Sequence, residues 1–332
     1  MPNAFILLVT VIVLAAIFDF INGFHDTANA IATVVATRVL SPLQAILMAA
    51  MLNFLGAVTG TAVAKTVGAG LVAPGAITQT AVIVALLAAI SWNLITWYAG
   101  IPSSSSHALI GGIVGAAIAQ TGFSAPEYMA ILTKVVLPFL VSPLVGFVGS
   151  LILMILLLWA FGSHTPAWIQ SVFGRLQILS SALMAYSHGS NDAQKTMGVI
   201  TLALVTYGSQ QKFEVPIWVI LLSATAMALG TASGGWRIIR TMGTRLTALQ
   251  PIHGFAAETT AGIVIEIASR LGYPLSTTHV IGASILGVGA ARRLRSVRWG
   301  IAGSIVTAWV VTIPICASLA WGLYATIQIV IG

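Results

Sequence analysis

Long, nearly unbroken apolar runs decide what this chain can become. Phe5 to Phe18 and Val145 to Phe161 contain no charged residue, and charged residues make up only 6% of the 332. A soluble domain carries about 25%, so a chain that is 58% hydrophobic cannot cover itself with a water-compatible surface. Strands of a membrane barrel alternate in polarity over about 10 residues, and these runs do not. The expected fold is therefore an all-α integral membrane protein, because a helix satisfies its own backbone in lipid. The first apolar run starts almost at the N-terminus, lacks a basic leader and shows no cleavage site, so it reads as a membrane helix and not as a signal peptide. The formal net charge of +7 would suggest nucleic acid in a soluble protein. Here the positive residues gather in a few loops, which is a topology signal and argues against a nucleic-acid partner. The single Cys316 lies in an apolar stretch and is given no role.

Apolar runs and breakers divide the chain into six elements per half. They fall near 4–21, 24–37, 42–65, 77–99, 103–119 and 127–160, then near 172–187, 190–206, 215–236, 250–270, 275–291 and 297–329. The expected organisation is an N-terminal repeat over 1–162, a linker over 163–171 and a C-terminal repeat over 172–332, with about 10–12 helical segments including broken or re-entrant ones. Two sequence pairs support the division. Asn22-Gly23-Phe24-His25-Asp26-Thr27-Ala28-Asn29 matches His188-Gly189-Ser190-Asn191-Asp192-Ala193-Gln194-Lys195, and Pro102-Ser103-Ser104-Ser105-Ser106-His107 matches Pro274-Leu275-Ser276-Thr277-Thr278-His279. Loops 237–245 and 292–298 are Arg-rich, whereas their counterparts 66–76 and 121–127 hold no Lys or Arg. Basic loops stay cytoplasmic, so equivalent loops face opposite sides. The halves are then an inverted repeat, with both termini external.

An ionised carboxylate at membrane depth marks a functional site, and its repetition in two halves points to a transporter. Proline followed by hydroxyl residues marks a helix start. The first-turn N–H groups there lack internal partners and the helix dipole is positive, which favours oxyanions. Two such starts, from Ser104, Ser105 and Ser106 and from Ser276, Thr277 and Thr278, would cradle one tetrahedral anion. The plainer alternative is that these residues cap helices or bond back to the preceding turn. Asp26 and Asn29 share a helical face. With carbonyls freed by a helix break at Gly23, and at Gly189 in the second copy, they would make a hard-oxygen cation site. The alternative is a structural carboxylate paired with His25 or Lys195. Lys195 stands where the first copy has Asn29, so it either pairs with Asp192 or faces the anion, and the two cation sites are unequal either way. Glu258 is expected to be a buried carboxyl suited to a proton or cation, and Glu266 to pair with Arg270 four residues on. Asn53 is either a coupling residue or a helix-to-helix hydrogen bond. His25, His107, His188 and His279 can carry protons or hold structure. Asp19, Lys65, Lys134 and Glu214 read as interfacial anchors near helix ends.

At these residues the chain resembles the PiT family of inorganic phosphate transporters. Gly23-Phe24-His25-Asp26-Thr27-Ala28-Asn29-Ala30 and Gly189-Ser190-Asn191-Asp192 are similar to the family's repeated signature. Pro274 to His279, Pro102 to His107 and Gly254-Phe255-Ala256-Ala257-Glu258 are similar to its other motifs. The resemblance covers the whole chain. It implies a secondary symporter, not an enzyme, in a bacterial-type inner membrane, whose partners are phosphate, a coupling cation and the lipid bilayer, with a homodimer as one admissible assembly. Ser104, Ser105, Ser106, Ser276, Thr277, Thr278, Asn191 and Lys195 would bind phosphate. Asn22, Asp26, Asn29, Asp192, Glu258 and Asn53 would handle the cation, and Asp26 and Asp192 are the metal candidates. Sodium-coupled members generally have an acid at the position of Asn53 and Asn at that of Lys195. The departure favours a proton over sodium, with phosphate carried alone or with Mg2+ or another divalent ion; no cofactor is covalently held. Two rivals keep other chemistry. A sulfate permease would not need carboxylates facing the anion, because sulfate has no proton to donate to them. An anion channel is disfavoured because such carboxylates repel its ion. No phosphate-binding Gly-x-x-x-x-Gly-Lys-Ser/Thr motif for ATP is present.

Overall fold

The computed structural model describes residues 2–72 and 77–331, apart from the side chains at 2, 3, 292 and 331. The terminal residues, expected outside the cell, and part of the 66–76 loop lie outside the described residues. Thirteen α-helices follow in order: α1 (Pro2–Ala36), α2 (Pro42–Ala57), α3 (Ala62–Ala69), α4 (Gln79–Ala99), α5 (Ser105–Thr121), α6 (Tyr128–Ile131), α7 (Leu137–Phe161), α8 (Pro166–Tyr207), α9 (Ile217–Ser233), α10 (Trp236–Arg240), α11 (Pro251–Arg270), α12 (Thr277–Arg292) and α13 (Trp299–Ile331). Among the described residues there is no strand, only an isolated bridge between Val72 and Pro126. Among the described residues four helical stretches are long and apolar enough to cross a membrane, and the number is six if each of two bent pairs is one span. The protein is a multi-pass membrane protein.

The order of elements recurs. α1 and α8 each carry an Asp motif. α2 and α3 meet at a bend of 71°, and α9 with the helix that follows it at 61°. α6 runs through one π-helical turn into α7, which holds Pro143, and its counterpart α13 holds Pro314. Packing exchanges partners between the halves: α2 lies on α8, α9 on α1, α5 on α13 and α12 on α7. α7 and α13 turn residues such as Leu140, Leu144, Leu156, Val306 and Val310 outward, which suits lipid-facing helices.

Two expectations need correction. α1 is one helix of 35 residues and α8 one of 42, so neither breaks at Gly23 or Gly189. α8 also begins at Pro166, capped by the Thr165 hydroxyl, and takes up much of the expected linker. The glycines serve close helix crossings. A Cβ on Gly23 would strike Met227 O on α9, and one on Gly189 would strike Asn53 O on α2. Gly56 and Gly230 repeat this against Tyr186 O and Phe20 O. Small residues let membrane helices approach where lipid supplies no hydrophobic drive. The breaks fall instead between Ala57 and Ala62, and at Gly234, whose φ of +74° suits glycine.

The long helices place the polar groups between two apolar cores. Along α1, Leu8 to Phe18 belong to one core and Ala28 to Val34 to the other; along α8, Phe173 to Ala185 belong to the second and Ala193 to Leu204 to the first. α1 and α8 therefore run antiparallel, and their Asp motifs meet between the cores. Replacing Gly56 with Leu is expected to cost about 1–3 kcal/mol or more, because backbone must move. Gly300→Ala, at an open position, should leave stability unchanged. Thermal unfolding of the detergent-solubilised protein, followed by loss of monodispersity, distinguishes the two.

Candidate functional site

α5 and α12 have 17 and 16 residues, about 25 Å at 1.5 Å per residue, too short for a hydrocarbon core of about 30 Å. Both start inside the protein. The Ser104 hydroxyl accepts from His107 N at 3.2 Å and the Ser276 hydroxyl from His279 N at 3.3 Å. The first hydroxyl of each expected anion-binding triplet is thus a helix cap, and the other two of each triplet remain for other partners. The two starts meet head to head. Ser106 Oγ donates to Leu275 O at 3.0 Å, and the His107 and His279 rings lie 4.8 Å apart. Behind them Trp309 of α13 stacks on His279 and donates to Pro102 O at 3.1 Å, while Phe139 of α7 packs on both imidazoles. These two histidines form an aromatic layer under the junction.

α1 and α8 bracket the junction with charge. Ser105 Oγ donates to Asp26 Oδ2 at 3.3 Å, and His25 Nδ1 lies 2.6 Å from Asp26 Oδ1. His25 Nε2 meets Thr96 Oγ1 at 3.0 Å, which also accepts from Ser103 at 2.8 Å. From α1 the Asn29 amide reaches across to Thr278 at 2.9 Å and Thr277 at 3.2 Å. From α8, Asp192 pairs with Lys195 and accepts from Thr277 at 3.1 Å, with His188 Nε2 at 3.2 Å. The Lys195 ammonium also donates to Ser106 and, at 2.9 Å, to Leu275 O. Each long helix thus holds both short helices. Lys195 pairs with Asp192, one of the two arrangements left open for it, and its ammonium also reaches the hydroxyl row at Ser106. One ligand atom each from Asp26, His188 and Asp192 lie within 4.8 Å of one another; two carboxylates and an imidazole suit a divalent cation.

Other expected site residues lie elsewhere. Asn191 turns away from the junction and donates to Ser269 at 2.8 Å and Tyr273 O at 3.1 Å, tying α8 to the end of α11. Asn53 bridges three helices, its Oδ1 accepting from His188 Nδ1 at 3.1 Å and its Nδ2 donating to Thr231 at 2.8 Å. No carbonyls are freed beside Asp26, because α1 is continuous there. Glu258 of α11 is buried beside Thr33, two turns along α1 from Asp26, and Thr33, Ser180 at 2.5 Å and Gln177 at 3.4 Å all donate to it. Glu266 pairs with Arg270 at 2.8 Å, as its spacing suggests. Asp19 is no interfacial anchor: it is 0% exposed, in the middle of α1. Its spacing of seven residues from Asp26 puts the two on one helical face, a signal readable in the sequence.

The geometry can be set beside known proteins. Residues 22–320 match the phosphate transporter family. The chain is 50% identical over 319 residues to a probable low-affinity inorganic phosphate transporter of Rhizobium meliloti (strain 1021), covering 96% of this chain and 95% of that one. It is 48% identical to a protein of the same description from Bacillus subtilis (strain 168), covering 95% of each. A solved structure described as the sodium-dependent phosphate transporter superposes with a TM-score of 0.88 at 25% identity, covering 97% of this chain and 99% of that one.

Removing one partner of a buried ion pair strands the other charge. Asp192→Asn is therefore expected to destabilise the protein by about 3–5 kcal/mol, and adding Lys195→Met to recover most of the loss. Thermal stability of the two single variants and the double variant in detergent completes the cycle.

Proposed function

The chain belongs to the phosphate transporter family, and on that premise we propose that it imports inorganic phosphate by symport with protons. The observation that carries the reading is the meeting of two helix starts between Asp26 and Asn29 on one side and Asp192 and Lys195 on the other. Two positive helix ends, the hydroxyls of Ser105, Ser106, Thr277 and Thr278, and the Lys195 ammonium offer donors to the oxygens of a tetrahedral anion. Asp26 and Asp192 accept the proton that hydrogen phosphate carries and sulfate lacks. The hydroxyls now satisfied by these carboxylates can exchange them for phosphate oxygens without leaving a buried donor unpaired.

Sodium dependence is a description of the solved relative. In this chain the oxygens of Asp192, Ser106 and Leu275 already hold the Lys195 ammonium, which supports a proton as the mobile cation. The cluster of Asp26, His188 and Asp192 supports a second reading, in which phosphate travels with a divalent ion such as Mg2+. The halves act as an inverted repeat in a bacterial-type plasma membrane, with Arg-rich segments 237–245 and 292–298 cytoplasmic. Alternating access then comes from rocking of the helices that carry α5 and α12. The Asn29 link to α12 and the Lys195 link to α5 would open in turn.

In proteoliposomes, an inside-alkaline pH gradient is expected to drive phosphate above its equilibrium level, whereas a sodium gradient alone should not. Equal accumulation with sodium alone would overturn proton coupling. Dependence of the rate on external Mg2+ decides the second reading. Ser105→Ala and Thr277→Ala each remove one donor, worth about 1 kcal/mol or roughly five- to tenfold in apparent affinity. Arsenate should compete better than sulfate in uptake assays, and the reverse order would sink the phosphate assignment.

A further inference from the structure

The bundle buries four carboxylates among the described residues: Asp19, Asp26, Asp192 and Glu258. Three have donors. Asp26 has His25 and Ser105, Asp192 has Lys195 and Thr277, and Glu258 has Thr33, Ser180 and Gln177. Neither oxygen of Asp19 makes a hydrogen bond. The groups against it are the Thr196 side chain of α8 and the Asn22 side chain of its own helix. Thr196 Oγ1 and Asn22 Oδ1 are themselves buried without a partner. Three buried polar groups without partners thus lie together, and an ionised carboxylate left so at membrane depth is expensive.

A single proton resolves all three. A carboxyl O–H on Asp19 donates to Asn22 Oδ1, while the Thr196 hydroxyl donates to the other carboxyl oxygen. A metal ion fits less well. The charged groups facing Asp19 are Asp192 and Lys195 of α8, already bound to each other, and the fixed ammonium opposes a second full cation nearby. α2, α4 and α9, also packed on α1, hold no Asp, Glu, Lys, Arg or His. From the more distant elements on α1, Glu258 of α11 sits at Thr33, the Arg237 guanidinium of α10 stacks on Trp97 and Tyr98, and His279 of α12 lies in the aromatic layer; Arg240 of α10 is exposed. Asp19 also has no counterpart in the second copy, where the matching position is Ala185. The copy that lacks a lysine is the copy that carries an extra acid.

We propose that Asp19, with Asn22 and Thr196, is the seat of the coupled proton, an inference that rests on the proton-symport reading above. The proton enters from external water with phosphate and leaves to internal water as Asp19 ionises; only an O–H bond is made and broken. Asp19→Asn keeps the shape and fixes the group in a neutral state. In proteoliposomes this variant is expected to keep phosphate–phosphate exchange. It should lose accumulation driven by an imposed pH gradient and lose the proton movement that accompanies phosphate, read with a trapped pH dye. Coupled proton movement at the wild-type level in Asp19→Asn would overturn the assignment of Asp19 alone. Loss of exchange as well, in a correctly folded variant, would also overturn it, by placing Asp19 in anion binding. A wild-type protein that moves no protons with phosphate would overturn both this inference and proton symport. If Asp19→Asn fails to assemble, Asp19→Glu serves instead. It should remain coupled with a displaced pH profile of uptake, and an unchanged profile would refute the proposal.

Discussion

Everything at the centre of this protein follows from pointing two helix N-termini at each other. Each end presents unsatisfied N–H groups and partial positive charge, and the dipoles of α5 and α12 oppose one another. Ser104 and Ser276 cap one N–H each, which leaves the electrostatic conflict in place. It is relieved by carboxylates that reach the junction from α1 and α8, Asp26 to α5 and Asp192 to α12. The long helices must then be continuous through the site, since a break would let those carboxylates drift. Their glycines accordingly buy close crossings that lock α1 to α9 and α8 to α2, and the bends are displaced to the neighbouring helices.

The two copies share this frame and differ in charge. Residues 19, 26 and 29 of α1 are Asp, Asp and Asn, whereas 185, 192 and 195 of α8 are Ala, Asp and Lys. One side therefore carries its positive charge covalently, on Lys195. The other holds an acid with no donor, and a transported cation is the natural complement. Glu258 differs again, because three side-chain donors already surround it. Its distance from the junction fits a role in holding α1, α8 and α11 together.

Much of this was legible in the residues. The paired motifs located both Asp sites and both hydroxyl-rich starts, and the apolar runs pointed to the class of fold, but each long helix reads as two elements. One misreading propagated. Gly23 and Gly189 look like helix breakers, and in a transporter site a break is a reasonable inference from glycine beside polar residues. Glycine is also what a tight crossing needs, and a single sequence does not say which backbone lies opposite. A break at Gly23 would put Asp19 near a helix end, at the membrane interface. The continuous helix returns it to the protein interior. Motif membership likewise does not fix direction around a helix: Asn191 donates to Ser269 and Tyr273 O, and its neighbour Asp192 is the residue that faces the junction.

The exchange of packing partners between halves has a consequence for synthesis. α5 rests on α13 and α1 on α9, and both partners are synthesised after the first half. When the first half has left the ribosome, the faces around Gly23, Gly111 and Gly115 still wait for residues not yet made. Asp19 and Asn29 wait too, for Thr196 and for the Thr277 and Thr278 hydroxyls of the second start. Until α9 and α13 are made, these acidic helices lack the backbones they cross in the folded protein. Order of assembly, as much as final stability, constrains which polar residues the first helix can tolerate.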